Sequence, residues 1–222
     1  MPTRLELACF HPQAVAAARA AGVHRVEFCD EALLGGTSPS AGDVELARNT
    51  FDGPLGVMVR PRGGNFEYSF AELDIMRDEL KRLANQGVNF AVLGALHEGR
   101  IDPRCGDLVS ESPIPVVLHR AFDDVRDQSQ ALEDAITMGF TRILTGIGGQ
   151  SMKSLVDLKQ AAAGRIEILP GGGIRSHNVA QYIWAGFDYA HSAALTDEAY
   201  QSDIPMPDMN EVKQLLEQCR RS

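Results

Sequence analysis

The sequence predicts an α/β protein: one (β/α)8 barrel of the TIM type forming a single domain over residues 1–222. Three observations point there. First, four helix-like stretches end in a glycine and a bulky apolar residue just before a strand-like run. They are Gly22-Val23 before RVEFC, Gly87-Val88 before FAVLGAL, Gly139-Phe140 before RILTG and Gly186-Phe187 before YAHSA. Glycine tolerates a positive φ and so suits the position just past a helix end. Second, the runs that follow are short and lack clean polar alternation, which is how a strand covered on both faces reads. Third, there are eight such runs, near 4–9, 25–29, 55–60, 89–95, 115–119, 142–146, 166–170 and 188–192, with helices between them. Eight alternating units close most readily as a parallel barrel. A doubly wound open sheet is the competing architecture, but it usually has fewer strands, and no GxGxxG follows the first strand here.

The helices follow from local signals. Pro12 suits a first helical position. Ser69-Phe70-Ala71-Glu72 is a capping box, and Leu73, Met76, Leu80 and Leu83 then recur at helical spacing. Two more helices read over 130–138 and 151–163, and a terminal one over 208–219. Residues 99–113 and 196–207 carry neither period and are expected to be loops. No linker, low-complexity tract or domain boundary interrupts the chain.

Composition narrows the function. Hydrophobic residues make up 44% and charged residues 23%, a globular balance with enough length to bury a core without disulfides or a structural metal. Lys and Arg total 21 against 30 Asp and Glu, a net charge of −9, so a nucleic-acid backbone would be repelled. No apolar run reaches membrane-spanning length, and the first residues lack the apolar stretch of a signal peptide, so neither a membrane nor export is expected. The four cysteines, Cys9, Cys29, Cys105 and Cys219, form no CxxC pair and read as reduced thiols of a cytoplasmic protein.

Polar residues then fall where apolar ones would be easier to bury. In a barrel, alternate strand residues point inward and chemistry gathers at the strand C-termini. Glu6 lies in LEL and Glu27 in VEF, Arg60 ends the third strand, His119 the fifth and His191 the eighth. Each could be an ordinary buried ion pair. Together they predict one polar cluster on the barrel axis, because buried charges need partners. Glu6, Glu27 or His119 would then serve as general acid or base, and the same three could hold a hard divalent metal. Arg60-Pro61-Arg62-Gly63-Gly64 after strand three offers two arginines to a carboxylate or phosphate. Gly171, Gly172 and Gly173 after strand seven offer backbone N–H groups to the same small anionic ligand. Gly148-Gly149 after strand six is a weaker form of that signal.

The motifs RVEFC (25–29), GGTSPS (35–40), RPRGGNFEYS (60–69), HRAFD (119–123), PGGGI (170–174) and HSA (191–193) occur in this order at strand ends. Together they resemble the CutC family, over about Arg4 to Ala193; RPRGG and HRAFD are the specific ones. The resemblance implies a TIM-type barrel in the cytoplasm, assembled as a homo-oligomer and engaged in copper homeostasis through copper binding or trafficking. It maps the family's polar pocket onto Glu6, Glu27, Arg60, Arg62, His119, Asp123 and His191, adding Asp123 to the catalytic candidates. It also implies a copper(I) ligand at Cys29. The chain departs from the family at Ala8, where relatives often carry a first-strand cysteine; Cys9 is one residue further on and alternation turns it to the opposite face. Copper(I) prefers soft thiolate or thioether ligands, so His191 or Met58 would have to complete a site at Cys29. The segment after strand eight is also shorter than in many relatives, and the sixth-strand loop reads TGIGG. Two function classes follow: copper handling dependent on Cys29, or a lyase, isomerase or hydrolase acting on a small anionic metabolite and dependent on Glu27, Arg60 and His119. A module without chemistry would depend on neither.

Overall fold

Strand and helix alternate along the chain in the computed structural model, which describes residues 3–146 and 151–220. β1 (Arg4–Cys9) leads through α1 (Pro12–Ala21) to β2 (Arg25–Phe28), and α2 (Ala41–Thr50) leads to β3 (Leu55–Met58). The long α3 (Phe70–Asn85) precedes β4 (Phe90–Leu93), and a two-stranded antiparallel hairpin, β5 (Leu96–His97) with β6 (Arg100–Ile101), follows it. Then come α4 (Arg104–Glu111), β7 (Val116–Leu118), α5 (Gln128–Met138), β8 (Arg142–Gly146), α6 (Met152–Ala162), β9 (Glu167–Gly171), α7 (Val179–Trp184) and β10 (Tyr189–Ser192). The short α8 (Asp197–Tyr200) and the terminal α9 (Met209–Arg220) complete the described chain.

Eight of these strands form one parallel sheet in the order β10-β1-β2-β3-β4-β7-β8-β9. β9 and β10 lie side by side, which brings the two ends of the sheet together as a nearly closed barrel. The predicted fold is therefore the observed one, and so are the helix ends that suggested it. Gly22 and Gly139 cap α1 and α5 at φ 76° and 87°, with their N–H groups turned back to carbonyls of the last turn. A β-carbon is strained there. Ser69 and Glu72 close the expected capping box on α3.

Two expected loops are corrected. Within 99–113 the chain forms the outer arm of the hairpin, turned through Glu98 and Gly99 at φ 51° and 72°, and then α4. That helix buries only Cys105 and Leu108, too few apolar positions to show a period. Its start is set by Asp102, whose carboxylate accepts the Arg104 N–H at 2.9 Å. Within 196–207, Thr196 caps α8, four residues that bury no side chain. Gly148-Gly149 lies outside the described residues.

Side chains of period two divide each strand between two cores. Leu5, Leu7, Val26 and Val57 join the large apolar layer between barrel and helices. Cys9 joins it too, as its position one residue beyond Ala8 predicted. A separate, smaller cluster of Cys29, Met58, Phe90, Val92 and Val117 occupies the barrel interior, with Phe10 against it. Everything polar that the strands carry inward has to be satisfied around that second cluster.

Candidate functional site

The lower part of the barrel interior is ionic. Strand register sets Glu6 beside Arg25 on one neighbour and His191 on the other, and sets Arg142 beside Glu167. Glu6 is 1% exposed and Arg25 4%. The Arg25 Nε–H donates to Glu6 Oε2, while Glu6 Oε1 contacts His191 Nδ1 at 2.7 Å. Arg142 pairs with Glu167 at 2.9 Å and stands 4.0 Å from Glu6. Burial alone would raise the Glu6 carboxyl, but Arg25, the His191 hydrogen bond and Arg142 outweigh it and hold it well below the usual carboxylate range. Arg25, Arg142 and Glu167 are missed by the sequence reading. The signal available for Arg25 is its spacing of two from Glu27, which puts both on one strand face.

Above this floor lies a cavity of about 150 Å³ at the C-terminal mouth of the barrel. Glu27, Cys29, Met58 and His191 line one wall. The Cys29 thiol donates to Glu27 Oε1 at 3.3 Å, and Glu27 Oε2 lies 3.6 Å from His191 Nδ1. Burial pushes the Glu27 carboxyl upward, and the neighbouring Glu6 adds to this against the pull of His191. Burial and Glu27 together push the Cys29 thiol well above its ordinary value. Burial would lower the His191 imidazole, but Glu27 and Glu6 reverse the sign and raise it.

Arg60, Phe66 and His119 form another part of the wall. His119 is 3% exposed, and its Nδ1 accepts the Ala121 N–H at 3.2 Å. Burial, and then the nearby Arg60 charge, push the imidazole down to about 3, so it is neutral near pH 7. Gly94 makes room for this ring, since a β-carbon there would lie 2.8 Å from two of its atoms. Arg60 donates to the carbonyls of Leu34, Gly36 and Gly64 at 2.8, 2.9 and 2.8 Å, joining two loops over the mouth. Arg120, Arg175, Gly172 and Gly173 also line the cavity. Neither of these two arginines lies within a strand, so neither carries an alternation signal.

The cavity thus brings together Glu27, Cys29, Arg60, His119, His191, Gly172 and Gly173 from the predicted set. Glu6 sits beneath it, in contact through His191. Three others stand apart. Arg62 is held by Glu72 at 2.6 Å and by the Glu67 carbonyl at 2.7 Å, away from the lining. Asp123 accepts from Thr145 Oγ1 and the Gly146 N–H, each at 2.8 Å, and thereby fastens the end of β8. Gly171 is a packing position: a β-carbon would come within 2.7 Å of Leu144 and 3.2 Å of His191. The oxygen and nitrogen ligand trio that does form is Glu6, Glu27 and His191, with potential ligand atoms within 4.8 Å of one another, so His191 takes the place expected of His119. The Arg25 and Arg142 charges already serve Glu6, so this trio fits a hard divalent cation poorly.

Among the described residues no helix is long and apolar enough to cross a membrane. The family model described as the CutC family matches residues 3–196. A mouse protein named copper homeostasis protein cutC homolog is 42% identical over 165 residues, covering 71% of this chain and 61% of its own length. The human protein of that name is 40% identical over 165 residues, covering 71% and 60%. The chain therefore matches about three fifths of the length of these curated relatives. A solved structure described as a copper homeostasis protein CutC from Streptococcus agalactiae superposes with a TM-score of 0.79 at 33% identity, over 87% of this chain and 99% of that one.

Proposed function

This chain belongs to the CutC family, and we propose that it serves copper homeostasis by binding a cuprous ion at the inner wall of the barrel-mouth cavity, with the Cys29 thiolate as principal ligand and the Met58 thioether beside it. One observation carries the reading: the two soft sulfur donors share one buried wall. A carbon at the β position of Gly36 would lie 3.3 Å from Cys29 Sγ and 3.6 Å from the Met58 terminal methyl, so the two side chains meet beneath that glycine. Cuprous ion prefers such donors over the oxygens that dominate elsewhere in the site. Its charge also suits the position. Cys29 and Glu27 are both reluctant to ionise in their dry surroundings, and a bound monovalent cation offsets the charge of a thiolate beside a carboxylate. The thiol proton has an acceptor already in contact, Glu27 Oε1. With Ala8 where the family resemblance often implies a first-strand cysteine, this is a one-thiolate site, and His191 in the same lining is a nitrogen donor.

In this reading the protein works in the cytoplasm as a homo-oligomer. The four cysteines are buried and form no disulfide, in keeping with a reducing compartment. The outward Leu46, Ile75 and Trp184 side chains offer apolar area for association of copies.

Anaerobic competition for Cu(I) against a chromogenic chelator tests the proposal. One equivalent should bind, and the affinity should fall by about a hundredfold or more in Cys29→Ser, at least the upper end of what losing an outer-shell partner costs. Met58→Leu should weaken binding less, because a thioether is the softer but uncharged donor. If neither wild type nor variant competes for the ion, direct copper binding at this cavity is wrong.

A further inference from the structure

We propose that the Arg60–His119 wall of the same cavity is a binding site for a small organic monocarboxylate, gripped by the Nε–H of Arg60 and the Nε2–H of His119. The site goes beyond the copper reading and does not depend on Cys29.

Arg60 supplies the first donor. Its guanidinium is 5% exposed, yet none of the ion pairs among the described residues includes it. Its terminal nitrogens are saturated by three backbone carbonyls, which hold the group in place without cancelling its charge. Its Nε–H makes no well-formed hydrogen bond among the described residues, and the Tyr68 hydroxyl beside the guanidinium is neutral and does not cancel its charge. A buried cation of this kind is costly unless an anion joins it.

His119 supplies the second donor. Because Nδ1 accepts the Ala121 N–H, the single proton of the neutral ring sits on Nε2. Nε2 is buried and also has no partner among the described residues. The two side chains share a scaffold: the Arg60 guanidinium lies 4.8 Å from the centroid of the Phe66 ring, and that ring lies 4.7 Å from the imidazole. Both side chains therefore belong to one wall of the cavity.

Charge and size select the ligand class. A carboxylate has two coplanar oxygens for two donors and a single negative charge to match one guanidinium. A phosphate dianion would bring a second negative charge into a cavity that Glu27 also lines. Ala8, Phe10 and Leu144 give the rest of the cavity an apolar lining, and about 150 Å³ admits only a short carbon body. Arg120 and the Gly172–Gly173 backbone at the mouth suit steering of an anion inward.

Calorimetric titration with propanoate, and with inorganic phosphate as the dianion, tests this. The decisive variant is His119→Asn. Its amide oxygen can still accept the Ala121 N–H, while no donor remains at the Nε2 position. Propanoate should bind the wild type and Cys29→Ser alike and bind His119→Asn about tenfold or more weakly, the loss expected for a hydrogen bond to a charged group. Arg60→Lys keeps the charge but lacks the Nε–H, and should show the same loss without relying on the histidine variant. Circular dichroism and a cooperative melt report that each variant is folded. Equal propanoate affinity in wild type and folded His119→Asn would overturn the proposal. So would phosphate binding as tightly as propanoate, or no propanoate binding to the wild type. Loss of copper binding in Cys29→Ser with propanoate binding intact separates this site from the copper reading.

Discussion

Arg25→Met is expected to destabilise the fold by about 3–5 kcal/mol, the range for removing one partner of a buried ion pair. The substitution conserves length and apolar stem but leaves Glu6 buried and ionised, with only Arg142 at 4.0 Å and His191 Nδ1 at 2.7 Å for company. It also removes the Arg25 guanidinium from the face of Tyr189, 3.6 Å from its ring centroid. The pH dependence identifies the cause. Burial opposes ionisation of Glu6, and Arg25 is the first of the groups that reverse this and depress its pKa. A depressed carboxyl contributes stability that is present above its unfolded value and lost as pH falls through its folded value. Without Arg25 the folded value moves up, so the variant's deficit is largest near neutral pH. It should shrink between about pH 5 and pH 3, as Glu6 becomes protonated and no longer needs a partner. Urea unfolding of both proteins across that range measures it. A deficit that stays constant down to pH 3 would assign the loss to packing against Tyr189 and Phe90 instead. Arg25→Met combined with Glu6→Leu should recover most of the stability, since a whole buried pair is replaceable where half of one is not.

How much of this was legible in the sequence depends on whether a residue's signal was local. The barrel was legible because four of its strands follow a glycine that ends a helix, as at Gly22 and Gly139, and because runs such as RVEFC are buried on both faces. Glu6, Glu27, Arg60, His119 and His191 stood out because each interrupts or ends such a run. Arg25 and Arg142 did not, since an arginine at the first residue of a strand reads as a solvated turn. The register, which places Glu6 beside Arg25 and Arg142 beside Glu167, shows them as interior, and the spacing of Arg25 from Glu27 was the one sequence hint of it. Arg62 and Asp123 carried motif-based expectations, and the fold places both outside the cavity lining: Glu72 holds the one, and the end of β8 engages the other. The short α4 and the hairpin were missed because two buried residues and four paired ones make no period.

The same ionic floor makes Gly56 the most sensitive small residue of the barrel. Register sets Gly56 directly beside Phe90 on the neighbouring strand, a small residue against a large one. A β-carbon on Gly56 would fall well inside van der Waals contact of Phe90 Cε2 and Cζ and 2.7 Å from Cδ2. Overpacking of this kind costs about 1–3 kcal/mol where the neighbour can shift. Phe90 has little freedom to do so. Its ring has the Arg142 guanidinium 4.9 Å and the Arg25 guanidinium 5.7 Å from its centroid, and it is 5% exposed. Gly56→Ala is therefore expected at the upper end, about 3 kcal/mol, in denaturant unfolding. Phe90→Leu alone should also destabilise, by lost apolar burial. The double variant should cost at least about 1 kcal/mol less than the sum, because the leucine vacates the space that the new methyl needs. Strict additivity would mean that the ring is not the obstacle. The displacement should also reach the site above. Any ring shift that moves Arg25 weakens its hold on Glu6, and Glu6 is the carboxylate that contacts His191 Nδ1. A Glu6 more readily protonated stabilises the imidazolium less, so the His191 pKa, raised in the wild type, should fall in Gly56→Ala when followed by NMR titration. An unchanged His191 titration beside a large loss of stability would show that the strain is absorbed within β3 and β4 and that the ionic floor does not pass it to the cavity.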